Sequence, residues 1–215
     1  MDAAQFIARA REALATPTLY RLGAGGHYGT DPGPRARPGV EANVQATLAS
    51  LDADKRTRYE HEAHAAGIRL QDLPQTMPFC DCSGYVCWAL GIPRAPAPDA
   101  RSGWVWTHSI YEDALRPGGL FRREDSAQAP LTCRAGALLV YPKAPGEEAG
   151  HVGIVSQVDD AGRPLQVLHC ASQNFLLAQP GRPHSAIAET GPQVFLEHLQ
   201  APRPSIAVWF GALQA

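Results

Sequence analysis

A chain of 215 residues with 45% hydrophobic and 19% charged residues has the size and composition of an ordinary globular domain with a substantial core. Its net charge of −2 offers no electrostatic footprint for nucleic acid or for an anionic membrane surface. No stretch approaches the length of a transmembrane helix, so membrane insertion is not expected.

The opening Met1-Asp2-Ala3-Ala4-Gln5-Phe6 lacks a basic region followed by an apolar run, so no signal peptide is read there. The expectation is a cytoplasmic protein of the producing cell, or one exported to a target periplasm by a signal-independent route. Cysteines stand at 80, 82, 87, 133 and 170; the odd number leaves at least one free. Cys80 and Cys82 are too close for an easy bridge, and no paired knuckles mark structural zinc. Neither metal nor organic cofactor is expected.

In chain order, Phe6, Ile7, Ala10 and Leu14 recur at helical spacing and predict a helix over 2–15, ended by Thr16-Pro17. A glycine-rich turn follows over 19–29; without a Lys-Ser/Thr ending it is no phosphate loop. Residues 30–39 read as a Pro/Gly/Arg loop. Val40 to Leu51 predicts a helix, and Asp52 or Asp54 caps another that runs to Ala66 and stops at Gly67. That second helix carries only Tyr59, Ala63 and Ala66 as an apolar stripe, so it belongs on the surface. Its His61 and His64, one turn apart, could hold a metal, but a solvated face is the better reading.

A loop ending at Asp81 leads into a short apolar helix from Cys82 to Gly91. Cys82 therefore starts a helix, where unpaired N–H groups and the helix dipole favour a thiolate. After Trp104 and Trp106, Thr107 or Ser109 caps a helix to Leu115. Ala137 to Tyr141, His151 to Val158 and Leu165 to Ala171 then read as strands, the last two joined by a turn at 159–164. Further strands fall near Ser185 to Glu189 and Ile206 to Phe210. Helices first and antiparallel strands later predict an α+β fold, with N-terminal helices packed on an antiparallel sheet.

Cys82, His151 and His169 supply the parts of a cysteine hydrolase: a nucleophile, an imidazole to shuttle its proton, and a group to orient that imidazole. His169 sits across the predicted hairpin from His151, and facing side chains on paired strands approach within about 5 Å. The bland alternatives are a buried cysteine acting as a small hydrophobe and a strand histidine with its hydrogen bonds satisfied. Asp81 can serve as a helix cap alone and Tyr20 as core alone. Trp104 and Trp106 fit either a cleft lining or aromatic packing.

Asp81-Cys82-Ser83-Gly84-Tyr85-Val86, together with Gly136-Ala137-Leu138-Leu139-Val140 and His151-Val152-Gly153-Ile154-Val155, resembles the sequence boxes of NlpC-type papain-like cysteine peptidases. Leu168-His169-Cys170-Ala171 looks like the strand of their third catalytic position, and Thr18 to Gly23 is similar to a Tyr-containing segment near their start. The matching blocks cover 3–29, 79–92 and 134–172. Departures are an insertion over about 30–78, read as helical, and Ala137 where Asp is common.

The resemblance implies a single papain-like domain over 1–215 that hydrolyses amide bonds in peptidoglycan stem peptides. Cys82, His151 and His169 would be catalytic, with Tyr20, Asp81 and Ser83 at the substrate amine and reacting carbonyl. The absence of a signal suggests a toxin delivered by a contractile secretion system, with an immunity protein or secretion apparatus as partner, or a phage-related lysin. Two other classes stand beside this one: a cytosolic cysteine acyltransferase or amidase on a non-wall substrate, and a non-enzymatic binding module that retains the fold.

Overall fold

In the computed structural model, described over residues 1–27, 36–94, 105–144, 149–177 and 183–214, helix α1 (Ala3–Glu12) forms where the sequence spacing places it. Asp2 caps it: Oδ1 accepts from the Gln5 amide at 2.8 Å and the Gln5 side chain accepts from the Asp2 amide at 3.0 Å. Phe6, Ile7 and Ala10 face inward, and a 3-10 turn over Ala13–Ala15 ends the element. Trp104 and the segment 30–35 of the expected loop lie outside the described residues.

Strand β1 (Leu19–Tyr20) follows. The expected helix from Val40 to Leu51 is overturned in its first turn, because Val40–Asn43 is strand β2 and only Val44–Ala49 is helix α2. Asn43 sets the boundary by accepting from the Ala46 amide at 2.8 Å, which caps α2 there and leaves the residues before it extended. Helix α3 (Ala53–Ala65) is capped by Asp52, buries Ala63 and keeps His61 and His64 exposed.

The segment expected as a loop before Asp81 is strand β3 (Thr76–Cys80). It pairs in parallel with β1, Tyr20 opposite Cys80, and antiparallel with β2, so the stretch over 30–78 is not purely helical. Pro78 argues against a central strand because it cannot donate to a ladder. Here β1 reaches only Phe79 and Cys80, so at Pro78 the strand has a partner on one side alone. Leu19, Val44, Ala63, Met77, Phe79 and Phe175 close a small core beneath this sheet.

Helix α4 (Cys82–Leu90) is buried on every side, as its unbroken apolar run requires. It packs between α1 and the main sheet, and Gly91, at φ 69°, takes the left-handed turn that stops it. Burying each large side chain here stabilises by about 1.5–3 kcal/mol, so Tyr85, Val86 and Trp88 anchor the helix.

Helix α5 (Thr107–Ala114) is capped by neither Thr107 nor Ser109 as expected: Trp106 holds the cap position, with Ser109 Oγ accepting from the Trp106 amide at 2.9 Å. The remaining elements are β4 (Phe121–Arg123), β5 (Leu138–Tyr141), β6 (His151–Val158), β7 (Pro164–Cys170), β8 (Ile187–Thr190), α6 (Gln193–Leu196) and β9 (Ile206–Phe210). They form a six-stranded antiparallel sheet in the order β4-β9-β5-β6-β7-β8. The architecture is α+β, with α1 and α4 on one face of this sheet. No helix among the described residues is long and apolar enough to cross a membrane.

Candidate active site

The site is built where α4 meets β6 and β7. Cys82 is the first residue of α4, and the preceding Asp81 caps the helix by accepting from the Gly84 amide at 2.7 Å. The other Asp81 oxygen accepts from the Gly23 amide at 2.7 Å and from Arg94 Nη2 at 2.6 Å. Arg94 Nη2 also donates to Ser83 Oγ at 2.9 Å, and Nη1 donates to the Ala24 carbonyl at 2.7 Å. The glycine turn is thereby clamped onto the start of α4. Gly84 is needed there, since a Cβ would stand 2.5 Å from the Ala24 carbonyl oxygen.

The expectation of a resting thiolate at Cys82 is corrected by its surroundings. Burial, first, and the adjacent Asp81 carboxylate push the thiol up to about 12. The Val152 and Ser83 amides at the sulfur and the Arg94 cation pull the other way without cancelling that rise. The helix terminus thus contributes what the sequence reading assigned to it, but desolvation is the larger effect. Cys82 rests as a thiol and needs a base.

The hairpin of β6 and β7 brings the two predicted histidines together. Gly153 stands opposite His169, which makes His151 and His169 diagonal neighbours on one face of the sheet. His151 Nε2 and His169 Nδ1 are 2.7 Å apart. Gly153 keeps that face open: a Cβ there would lie 2.6 Å from Val167 and 3.1 Å from both His169 Cβ and the Phe195 ring. Phe195, from α6, stacks on His151 with centroids 5.3 Å apart.

His169 Nε2 lies 2.8 Å from Thr190 Oγ1, and Asn174 Nδ2 donates to the His169 carbonyl at 3.1 Å. Burial holds His151 well below the ordinary imidazole range, with His169 and His198 adding to the effect. Burial also takes His169 down to about 4. Both rings are therefore neutral at physiological pH. Helix α4, which begins at Cys82, packs directly on β6, which begins at His151.

A cleft of about 680 Å³ opens onto Asp81, Cys82 and Ser83, with Gly23, Trp106 and Lys143 among its walls. Its size suits a short peptide or similar small substrate. Tyr20 borders this region from β1, and burial first, then the negative forms of Cys82 and Asp81, raise its phenol, which therefore stays protonated. Of the two tryptophans read as either cleft lining or aromatic packing, Trp106 lines the cleft and is 43% exposed. A larger, mostly apolar groove of about 1020 Å³, lined by Pro17, Met77, Phe175 and His184, contains none of the predicted site residues.

Sequence reading missed Arg94, Thr190 and Phe195. Only Arg94 carried a signal, a lone cation just after the apolar helix; the other two reach the site through tertiary pairing. Among the described residues, no group of three or more His, Cys, Asp or Glu side chains is arranged to hold a metal.

The matched boxes around Cys82, His151 and His169 fall within a recognised family. Residues 73–174 match the CHAP domain. This segment is a CHAP domain. CHAP domains are papain-like cysteine peptidase/amidase domains of the NlpC and cell-wall hydrolase type, which agrees with the α+β architecture. They are generally hydrolases, and the substrate class they suggest is peptidoglycan. No curated protein and no solved structure matches the chain.

Proposed function

We propose that this protein is a cysteine amidase or peptidase that cleaves amide bonds in peptidoglycan stem peptides, with Cys82 as nucleophile, His151 as general base and acid, and His169 orienting His151. The observation that carries the reading is the 2.7 Å contact between His151 and His169 beside a helix-terminal cysteine that opens onto a cleft. The match of residues 73–174 to the CHAP domain supports the substrate class.

In this mechanism a stem-peptide carbonyl enters the cleft above Cys82. The sulfur attacks the carbonyl carbon while its proton passes to Nδ1 of neutral His151; such contacts tighten when substrate is bound. The Cys82 amide, which has no carbonyl partner within the helix, faces the developing oxyanion. His151 then gives its proton to the leaving amine, and an acyl-enzyme remains. Water, activated by the same imidazole, releases the acid and restores the thiol.

The protonated Tyr20 phenol serves as a donor at the reacting carbonyl. Ser83 and Asp81 form the cleft floor at the substrate amine, with the Asp81 charge shared with Arg94.

Incubating the purified protein with a muropeptide digest and following it by mass spectrometry tests the reading. New free amines are expected, and they must vanish in Cys82→Ala. Transfer of the acyl group to an added amine would favour an acyltransferase instead, and tight binding without turnover a binding module.

The proposal extends to a toxin that resides in the producer's cytoplasm and acts on a rival's wall, with an immunity protein as partner. Directing the chain to the periplasm of a bacterial host should then cause lysis. Cytoplasmic expression, or Cys82→Ala in the periplasm, should not.

A further inference from the structure

Thr190, at the end of β8, terminates the polar chain that begins at the paired histidines, and we propose that it is a positioning residue that sets the tautomer of His151 through His169. This inference rests on the reading of His151 as the base for Cys82. Thr190 Oγ1 donates its one proton to the Gly191 carbonyl at 3.1 Å. With its proton directed to that carbonyl, the same oxygen accepts from His169 Nε2 at 2.8 Å. His169 carries its proton on Nε2.

A neutral imidazole has one N–H, so Nδ1 of His169 presents a lone pair, which accepts from His151 Nε2 at 2.7 Å. His151 in turn is protonated on Nε2 and bare on Nδ1, the form a general base requires. Asn174 does not compete for the proton on His169: Nδ2 donates to the His169 and Ala186 carbonyls at 3.1 Å each and lies 3.5 Å from His169 Nε2. The strand that carries Thr190 is held in place by Arg11, whose guanidinium lies 2.6 Å from Glu189.

Thr190→Val keeps the branched shape but removes the acceptor. The His169 proton then gains by moving to Nδ1, where it points at His151 Nε2 and drives the His151 proton onto Nδ1. A base protonated on the nitrogen that should receive the thiol proton is in the wrong tautomer, the kind of fault that leaves binding intact and slows chemistry.

The test combines two readouts on the full chain. Nitrogen-15 NMR of histidine-labelled protein should show both rings protonated on Nε2 in the wild type and in Thr190→Ser, and shifted toward Nδ1 protonation in Thr190→Val. With muropeptides, Thr190→Val should lose about 10–100-fold in kcat with KM within about twofold, while Thr190→Ser stays within about threefold.

A wild-type His169 protonated on Nδ1, or a Thr190→Val protein with unchanged tautomers or unchanged kcat, overturns the proposal. The NMR readout needs no substrate. A wild-type protein that turns over no muropeptide therefore refutes the hydrolase reading, while the tautomers still decide the role of Thr190.

Discussion

Asp81, the residue directly before the proposed nucleophile, forms an ion pair of 2.6 Å with Arg94 in which both side chains are only 2% exposed. The pair fixes the glycine turn to α4 and sets the charge that Cys82 experiences. Removing one partner leaves a buried charge uncompensated. Arg94→Met is expected to lower stability by about 3–5 kcal/mol in urea unfolding, and adding Asp81→Asn should recover a substantial part of that loss. A change below about 1 kcal/mol in Arg94→Met would show that the pair is not what holds the turn.

A thiol raised to about 12 by burial predicts a particular reactivity profile. Alkylation of Cys82 by iodoacetamide should accelerate by about tenfold per pH unit from 7 to 10 without reaching a plateau, because the thiolate fraction keeps rising. A plateau below pH 8 would mean that a thiolate–imidazolium pair is already formed at rest. Mass mapping of the alkylated peptide separates Cys82 from the other cysteines.

His169 gives stability a pH dependence of defined sign. Its folded-state value, about 4, lies below the ordinary 6.5, so the unfolded chain binds more protons between these limits. The stability associated with neutral His169 is complete above pH 6.5 and is lost as pH falls toward 4. The shift corresponds to about 3 kcal/mol. Urea unfolding at pH 7, 5.5 and 4 should show the decline, and His169→Gln should make it shallower, leaving the share that the likewise lowered His151 contributes. An unchanged pH slope in that variant would remove His169 as the source.

Trp106 lines the cleft while remaining 43% exposed, an arrangement suited to contact with ligand rather than to core packing. Trp106→Ala is expected to raise KM for muropeptides by about 3–10-fold, with kcat changed less than about twofold, since the lost contact would be made equally in ground and transition states. An equal fall in kcat and in kcat/KM would instead place Trp106 in the chemistry.

Much of this was legible in the sequence because it depends on local pattern. The period of Phe6, Ile7 and Ala10 marks α1, and the apolar run after Asp81 marks α4. The turn at 159–164 fixes the hairpin register that sets His169 beside His151. What stayed hidden is set by distant partners.

β3 contains a proline that local rules exclude from central strands, and its pairing with β1 and β2 becomes visible only when both are in place. The same holds for Thr190, which reaches His169 through the pairing of β7 with β8. Cys82 shows a different failure. Its helix position was read correctly, but the penalty of burying a charge depends on the fold around it.

The Gly23 amide and the Ala24 carbonyl, both ahead of the segment 73–174, complete the hydrogen bonding around Asp81, and Thr190 and Phe195, both beyond it, support the histidines. A fragment cut to the matched segment would therefore present the three proposed catalytic side chains without the groups that orient them. On the proposed mechanism, the shortest piece able to work must begin before Leu19 and continue past Phe195, beyond both ends of the matched segment.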